Sequence, residues 1–131
     1  MEAGRTFFSS KLDAMRAFGF KGNGWQKAVW PIPSDSEHVL WLPWNGKYQY
    51  GVNTLNDDGK LLSDERTRNF PKDGESYGKI VQDKEHVVIL RHNKSKFEFI
   101  GVFKHDIPNS TENTRVWVKT SPSYTALADY I

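Results

Sequence analysis

The segments His86–His92 (HVVILRH) and Lys96–Lys104 (KFEFIGVFK), separated by Asn93-Lys94-Ser95, constrain this chain more than any other feature. Two runs of β-branched and aromatic residues around three turn-forming residues predict an antiparallel hairpin. In the second run Phe97, Phe99 and Phe103 share one face with Gly101, while Ile100 and Val102 occupy the other. Strand side chains alternate between faces, so apolar residues on both faces require that both be covered. The pair therefore predicts an interior position in a barrel or covered sheet, with Phe97, Phe99, Ile100, Val102, Val88 and Leu90 in the core.

The neighbouring segments extend this β pattern. His38–Trp44 and Lys47–Leu55 flank Asn45-Gly46, and Asn-Gly between β-rich runs predicts a two-residue hairpin that sets Trp41 opposite Tyr50. Asn56-Asp57-Asp58-Gly59 predicts a second turn into Lys60-Leu61-Leu62, and Thr114–Thr120 a last strand after a loop over Pro108–Asn113. Near the start, Ser9 or Ser10 can cap a helix carrying Leu12, Met15 and Phe18, with Gly19 placed to end it. Tyr124–Ile131 reads as a short closing helix, and residues 63–85 show little periodicity. The expected fold is α+β and mostly β: a strongly bent antiparallel sheet or small barrel with the N-terminal helix packed across it. At 131 residues a single domain spanning 1–131 is expected.

Several chemistries lack their residues. The chain has no cysteine, which removes disulfides, thiol nucleophiles and Cys-ligated metals. His38, His86, His92 and His105 show no metal-site spacing, and each falls at or near a predicted strand end, where a half-exposed imidazole needs no special role. No GxSxG, GxGxxG or GxxxxGK[ST] motif occurs, so no catalytic set, metal or cofactor is expected. The absence of a long apolar run and of an N-terminal h-region leads to the expectation of a cytoplasmic protein without a membrane partner.

Aromatic placement is the informative signal. Four of the five Trp, namely Trp25, Trp30, Trp41 and Trp44, lie within twenty residues, with Tyr48 and Tyr50 just beyond. Such residues build the cores of small β domains without any ligand. The same flat faces also stack on nucleobases at about 1–3 kcal/mol each. The net charge is only +2, but residues 1–33 carry Arg5, Lys11, Arg16, Lys21 and Lys27 against Glu2 and Asp13. This pattern marks Trp25, Trp30, Trp44 and Tyr48 as candidate ligand-stacking residues, and Lys21, Lys27 and Arg66 as candidate phosphate contacts.

His86–Lys104 followed by Arg115-Val116-Trp117, with Phe99-Ile100-Gly101-Val102-Phe103 at its centre, resembles the sheet core of PUA-like domains. These include the ASCH and EVE types and the modified-base readers fused to restriction endonucleases. The resemblance covers about a third of the chain. It implies a small barrel holding a base in an aromatic-walled pocket, hence a non-catalytic module that binds nucleic acid, DNA before RNA. The competing readings are a protein-interaction module or inhibitor with Trp and Tyr as anchors, a small enzyme, and a carbohydrate-binding module.

Overall fold

The structure, a computed structural model, describes residues 1–22, 29–68 and 84–126. Nine strands form one sheet among these residues: β1 (Phe7–Phe8), β2 (Val29–Ile32), β3 (Asp35–Trp41), β4 (Gly46–Tyr48), β5 (Gly51–Leu55), β6 (Leu61–Arg66), β7 (Glu85–Asn93), β8 (Lys96–His105) and β9 (Thr114–Ser121). Their order is β2-β3-β7-β8-β9-β6-β5-β4, with β1 attached to the first half of β8. One helix, α1 (Lys11–Ala17), lies between β1 and β2. Ser10 caps it by accepting the Asp13 amide, and Gly19 follows its end with φ 88°.

The expected β7–β8 hairpin is present, and its turn is tied by Asn93 Oδ1, which accepts from the Ser95 amide at 2.8 Å. Val87, Val88, Ile89 and Leu90 are all buried, so β7 is covered on both faces as its composition requires. The six residues expected in the core are buried as well. Their division between faces differs from strict alternation. Val88 pairs with Gly101 but Ile89 with Phe99, so Ile100 is an extra residue in the ladder. Such a bulge shifts the phase by one. Phe97 and Phe99 consequently pack with Met15, Phe18, Trp30, Leu40 and Leu42 under α1, whereas Phe103 packs with Ile100, Trp41, Leu62 and Trp117 on the opposite face.

The Asn45-Gly46 hairpin is not formed. β3 instead pairs antiparallel with β2 and parallel with β7, and β4 pairs with β5 around Gln49-Tyr50. Trp41 lies opposite Val29 and Val88, not Tyr50. The parallel register continues past β3: Trp44 bridges Arg91, with Asn45 N donating to Arg91 O and Arg91 N to Pro43 O, both at 2.8 Å. Gly46, at φ 82°, then turns the chain into β4. Burying Leu40 and Leu42 against β7 outweighs a local turn preference, because each removes a large apolar side chain from water.

The sheet curls without closing into the barrel that was one of the two expected architectures. Trp41 and Trp117 sit on strands three places apart, about 14 Å in a flat sheet, yet their ring centroids are 5.1 Å apart. The face bearing Trp117 is therefore concave. Residues 124–126 are not helical, and the rest of the expected closing helix lies outside the described residues. The weakly patterned 63–85 stretch resolves at its ends, into β6 up to Arg66 and β7 from Glu85.

Candidate nucleic-acid interface

A row of polar residues crosses the concave face. Gly46 pairs with Asn53, Asn53 with Asp64 and Asp64 with Arg115, so one line runs over β4, β5, β6 and β9. Paired residues point to the same side of a sheet. Two residues further along the same side lie Leu62 and Trp117, which are core. Asn53, Asp64 and Arg115 are 4%, 5% and 7% exposed, a depth at which polar groups are retained only with partners or for a purpose.

Asp64 has its partners on neighbouring strands. Tyr48 Oη donates to Asp64 Oδ1 at 2.7 Å, and Arg66 Nε stands 3.9 Å from Asp64 Oδ2. Burial raises the Asp64 pKa above the usual carboxylate value, opposed by the Tyr48 hydrogen bond and the charges of Arg66 and Arg115. The Tyr48 hydroxyl is pushed up to about 12, first by burial and then by its bond to Asp64. Asn53 Nδ2 donates to the Trp44 carbonyl at 2.9 Å, while Asn53 Oδ1 is buried with no partner. Gly51 opens this corner. A Cβ on it would run into the Glu65 carbonyl oxygen and come within 2.8 Å of Arg66 Cα.

Deeper in the concavity, rings fill the space. Trp117 lies 4.4 Å from His86 and 4.9 Å from His105 by centroid, and Trp41 lies 5.9 Å from His86. His86, expected to be half-exposed at a strand end, is fully buried instead. Its Nδ1 lies 2.9 Å from the Lys84 carbonyl, which can only accept, so Nδ1 carries the proton. Burial lowers its pKa to about 3, leaving a neutral ring whose Nε2 has no partner. Among the described residues no group of three or more His, Asp or Glu is arranged to hold a metal, and no helix is long and apolar enough to cross a membrane.

The candidate residues read from the sequence separate into groups. Tyr48 and Arg66 flank Asp64. Trp44 is 37% exposed, with its carbonyl held by Asn53 and its ring covered by Arg91, whose guanidinium carbon is 4.7 Å from the centroid. Trp30, at 8% exposure, is a core residue under α1, edge-on to Phe20 and beneath the Lys11 ammonium at 4.9 Å, so its faces are occupied. Lys21 is exposed beside an open depression with Arg16, Gly19 and Phe20. Trp25 and Lys27 lie outside the described residues.

Sequence reasoning missed Asn53, Asp64 and Arg115. Their signal is phase: Asn53 alternates with Leu55, Asp64 with Leu62, and Arg115 with Trp117, each a polar residue on an apolar side of its strand.

Comparison with known proteins places this geometry. The family model described as the SET and RING associated domain matches residues 4–125. Among solved structures, the 5-hydroxymethylcytosine-specific restriction enzyme AbaSI superposes with a TM-score of 0.70 at 15% identity, a likeness of fold. The match covers 92% of this chain and 40% of the AbaSI chain, so this chain spans less than half of that enzyme's length. No curated protein matches by sequence. This supports the PUA-like reader class, though not the ASCH or EVE type specifically. With nearly its whole length matched, the chain belongs to the SET and RING associated (SRA) domain family.

Proposed function

We propose that this chain reads a modified cytosine in duplex DNA by taking the base out of the stack and receiving it on the concave face. The observation that carries the reading is the buried pair Asn53–Asp64. These cross-strand neighbours present an unpartnered amide oxygen and a carboxylate, at 4% and 5% exposure. Cytosine carries an exocyclic amino group with two protons to donate. Two adjacent acceptors suit it, while thymine, with a carbonyl at that position, would meet them acceptor to acceptor. Tyr48, bonded to Asp64, and Tyr50, 57% exposed and edge-on to Tyr48 at 6.3 Å, supply aromatic surface for the extruded ring.

The energetics are balanced. Unstacking costs a few kcal/mol, and stacking with a charge-assisted hydrogen bond returns an amount of the same order. Membership of the SRA family and the fold shared with a 5-hydroxymethylcytosine-specific enzyme support a modified base as the target. Binding alone meets this role, with no bond made or broken.

The test is fluorescence anisotropy with duplexes carrying one central cytosine, 5-methylcytosine or 5-hydroxymethylcytosine at fixed salt. The wild type is expected to prefer one modified duplex at least tenfold, corresponding to about 1.4 kcal/mol. Asp64→Asn turns one acceptor into a donor and is expected to weaken binding to all three duplexes, since each base carries the same exocyclic amino group, while keeping a folded melting transition. Equal affinity of the wild type for all three duplexes would refute the reading.

A further inference from the structure

Arg91 is an arginine built into place without an anion. Its Nε donates to the Leu42 carbonyl at 2.7 Å, and its guanidinium carbon lies over the Trp44 ring, 4.7 Å from the centroid. Its backbone is bonded on both sides to the Pro43–Asn45 segment. These contacts hold the guanidinium plane while leaving its Nη groups with no acceptor among the described residues. Glu98, which pairs with Leu90 on the neighbouring strand, has its carboxylate 2.7 Å from His92 Nε2. The second cation, Lys11, sits over Trp30 and is close enough for the Arg91 charge to depress its pKa, after the larger effect of its own burial.

We propose that Arg91, with Lys11 beside it, is a seat for a phosphodiester group of the DNA backbone. A guanidinium offers parallel N–H donors that match phosphate oxygens two at a time, and a stacked, pre-oriented one loses little freedom on binding. Trp44 connects this seat to the reading site, since its carbonyl holds Asn53 while its ring supports Arg91. The proposal rests on the DNA-reading assignment and adds to it a backbone contact that carries no base information.

The experiment measures duplex affinity by anisotropy across a salt series, for modified and unmodified DNA, with wild type, Arg91→Gln, Arg91→Lys and Lys11→Gln. Arg91→Gln is expected to lower affinity for both duplexes by the same factor and to reduce the slope of log K against log salt by about one. Arg91→Lys is expected to restore most of that slope. A folded Arg91→Gln protein with an unchanged slope overturns the seat and leaves base reading standing. If Arg91→Gln does not fold, Lys11→Gln decides, since it leaves the Leu42 and Trp44 contacts of Arg91 intact: a slope reduced by about one supports the seat, and an unchanged slope overturns it. Should the wild type bind no duplex, the DNA assignment itself fails, and inorganic phosphate becomes the probe. A melting temperature raised by phosphate in wild type but not in Arg91→Gln would retain the anion site, and no rise in wild type would overturn it.

Discussion

Acid should destabilise this protein by about 3 kcal/mol through one side chain. His86 is fully buried against Trp117 and Trp41, and its pKa falls from 6.5 to about 3 in the folded state. In the unfolded chain the ring titrates near 6.5, so between those values the unfolded state binds the extra proton and stability falls with pH. The loss begins as pH drops below about 6.5 and is complete near 3. Each unit is worth about 1.4 kcal/mol, so moving from about pH 7 to about pH 4.5 should cost about 3 kcal/mol from this group alone. Carboxylates titrate in the same range, with Asp35 and Asp64 shifted in opposite directions. A His86→Leu variant keeps those contributions and removes only the imidazole. Urea unfolding followed by tryptophan fluorescence at both pH values, in both proteins, isolates the difference. Wild type should lose about 3 kcal/mol more than the variant on acidification. Equal losses would refute the assignment of a buried neutral imidazole.

Other expectations follow from packing and pairing. Phe99→Ala should cost about 3–5 kcal/mol, read as a lowered urea midpoint, because Phe99 is wholly buried under α1; an unchanged midpoint would contradict its interior position. Gly51→Ala should lower the melting temperature by several degrees, since its methyl meets the backbone of Glu65 and Arg66, and a neutral result would mean β5 and β6 pair differently. Tyr48→Phe removes the donor to Asp64 and should cost about 1–3 kcal/mol of stability, together with weaker duplex binding; a change below about 0.5 kcal/mol would show that the bond is not formed in solution.

Local chemistry alone determined several parts of this protein. The β7–β8 hairpin follows from two runs of apolar residues around Asn93-Lys94-Ser95. The β5–β6 turn follows from Asn56, whose side chain accepts the Lys60 and Leu61 amides. Helix α1 begins at Ser10 and ends before Gly19. Each depends on residues a few positions apart, where dihedral preferences and short-range hydrogen bonds decide the outcome. Residue type singled out Tyr48 and Arg66, which the fold brings to Asp64, but not Asp64 itself, because alternation separates two faces without saying which is enclosed. That choice is made by the curl of the sheet, which brings Trp41 to Trp117 and turns Asn53, Asp64 and Arg115 inward. The parallel pairing of β3 with β7 is equally non-local, joining residues 47 apart in register, from His38–Glu85 through Trp41–Val88. It overrode the Asn45-Gly46 hairpin because a turn signal is a weak local preference, whereas seating Leu40 and Leu42 on β7 removes two large apolar side chains from water.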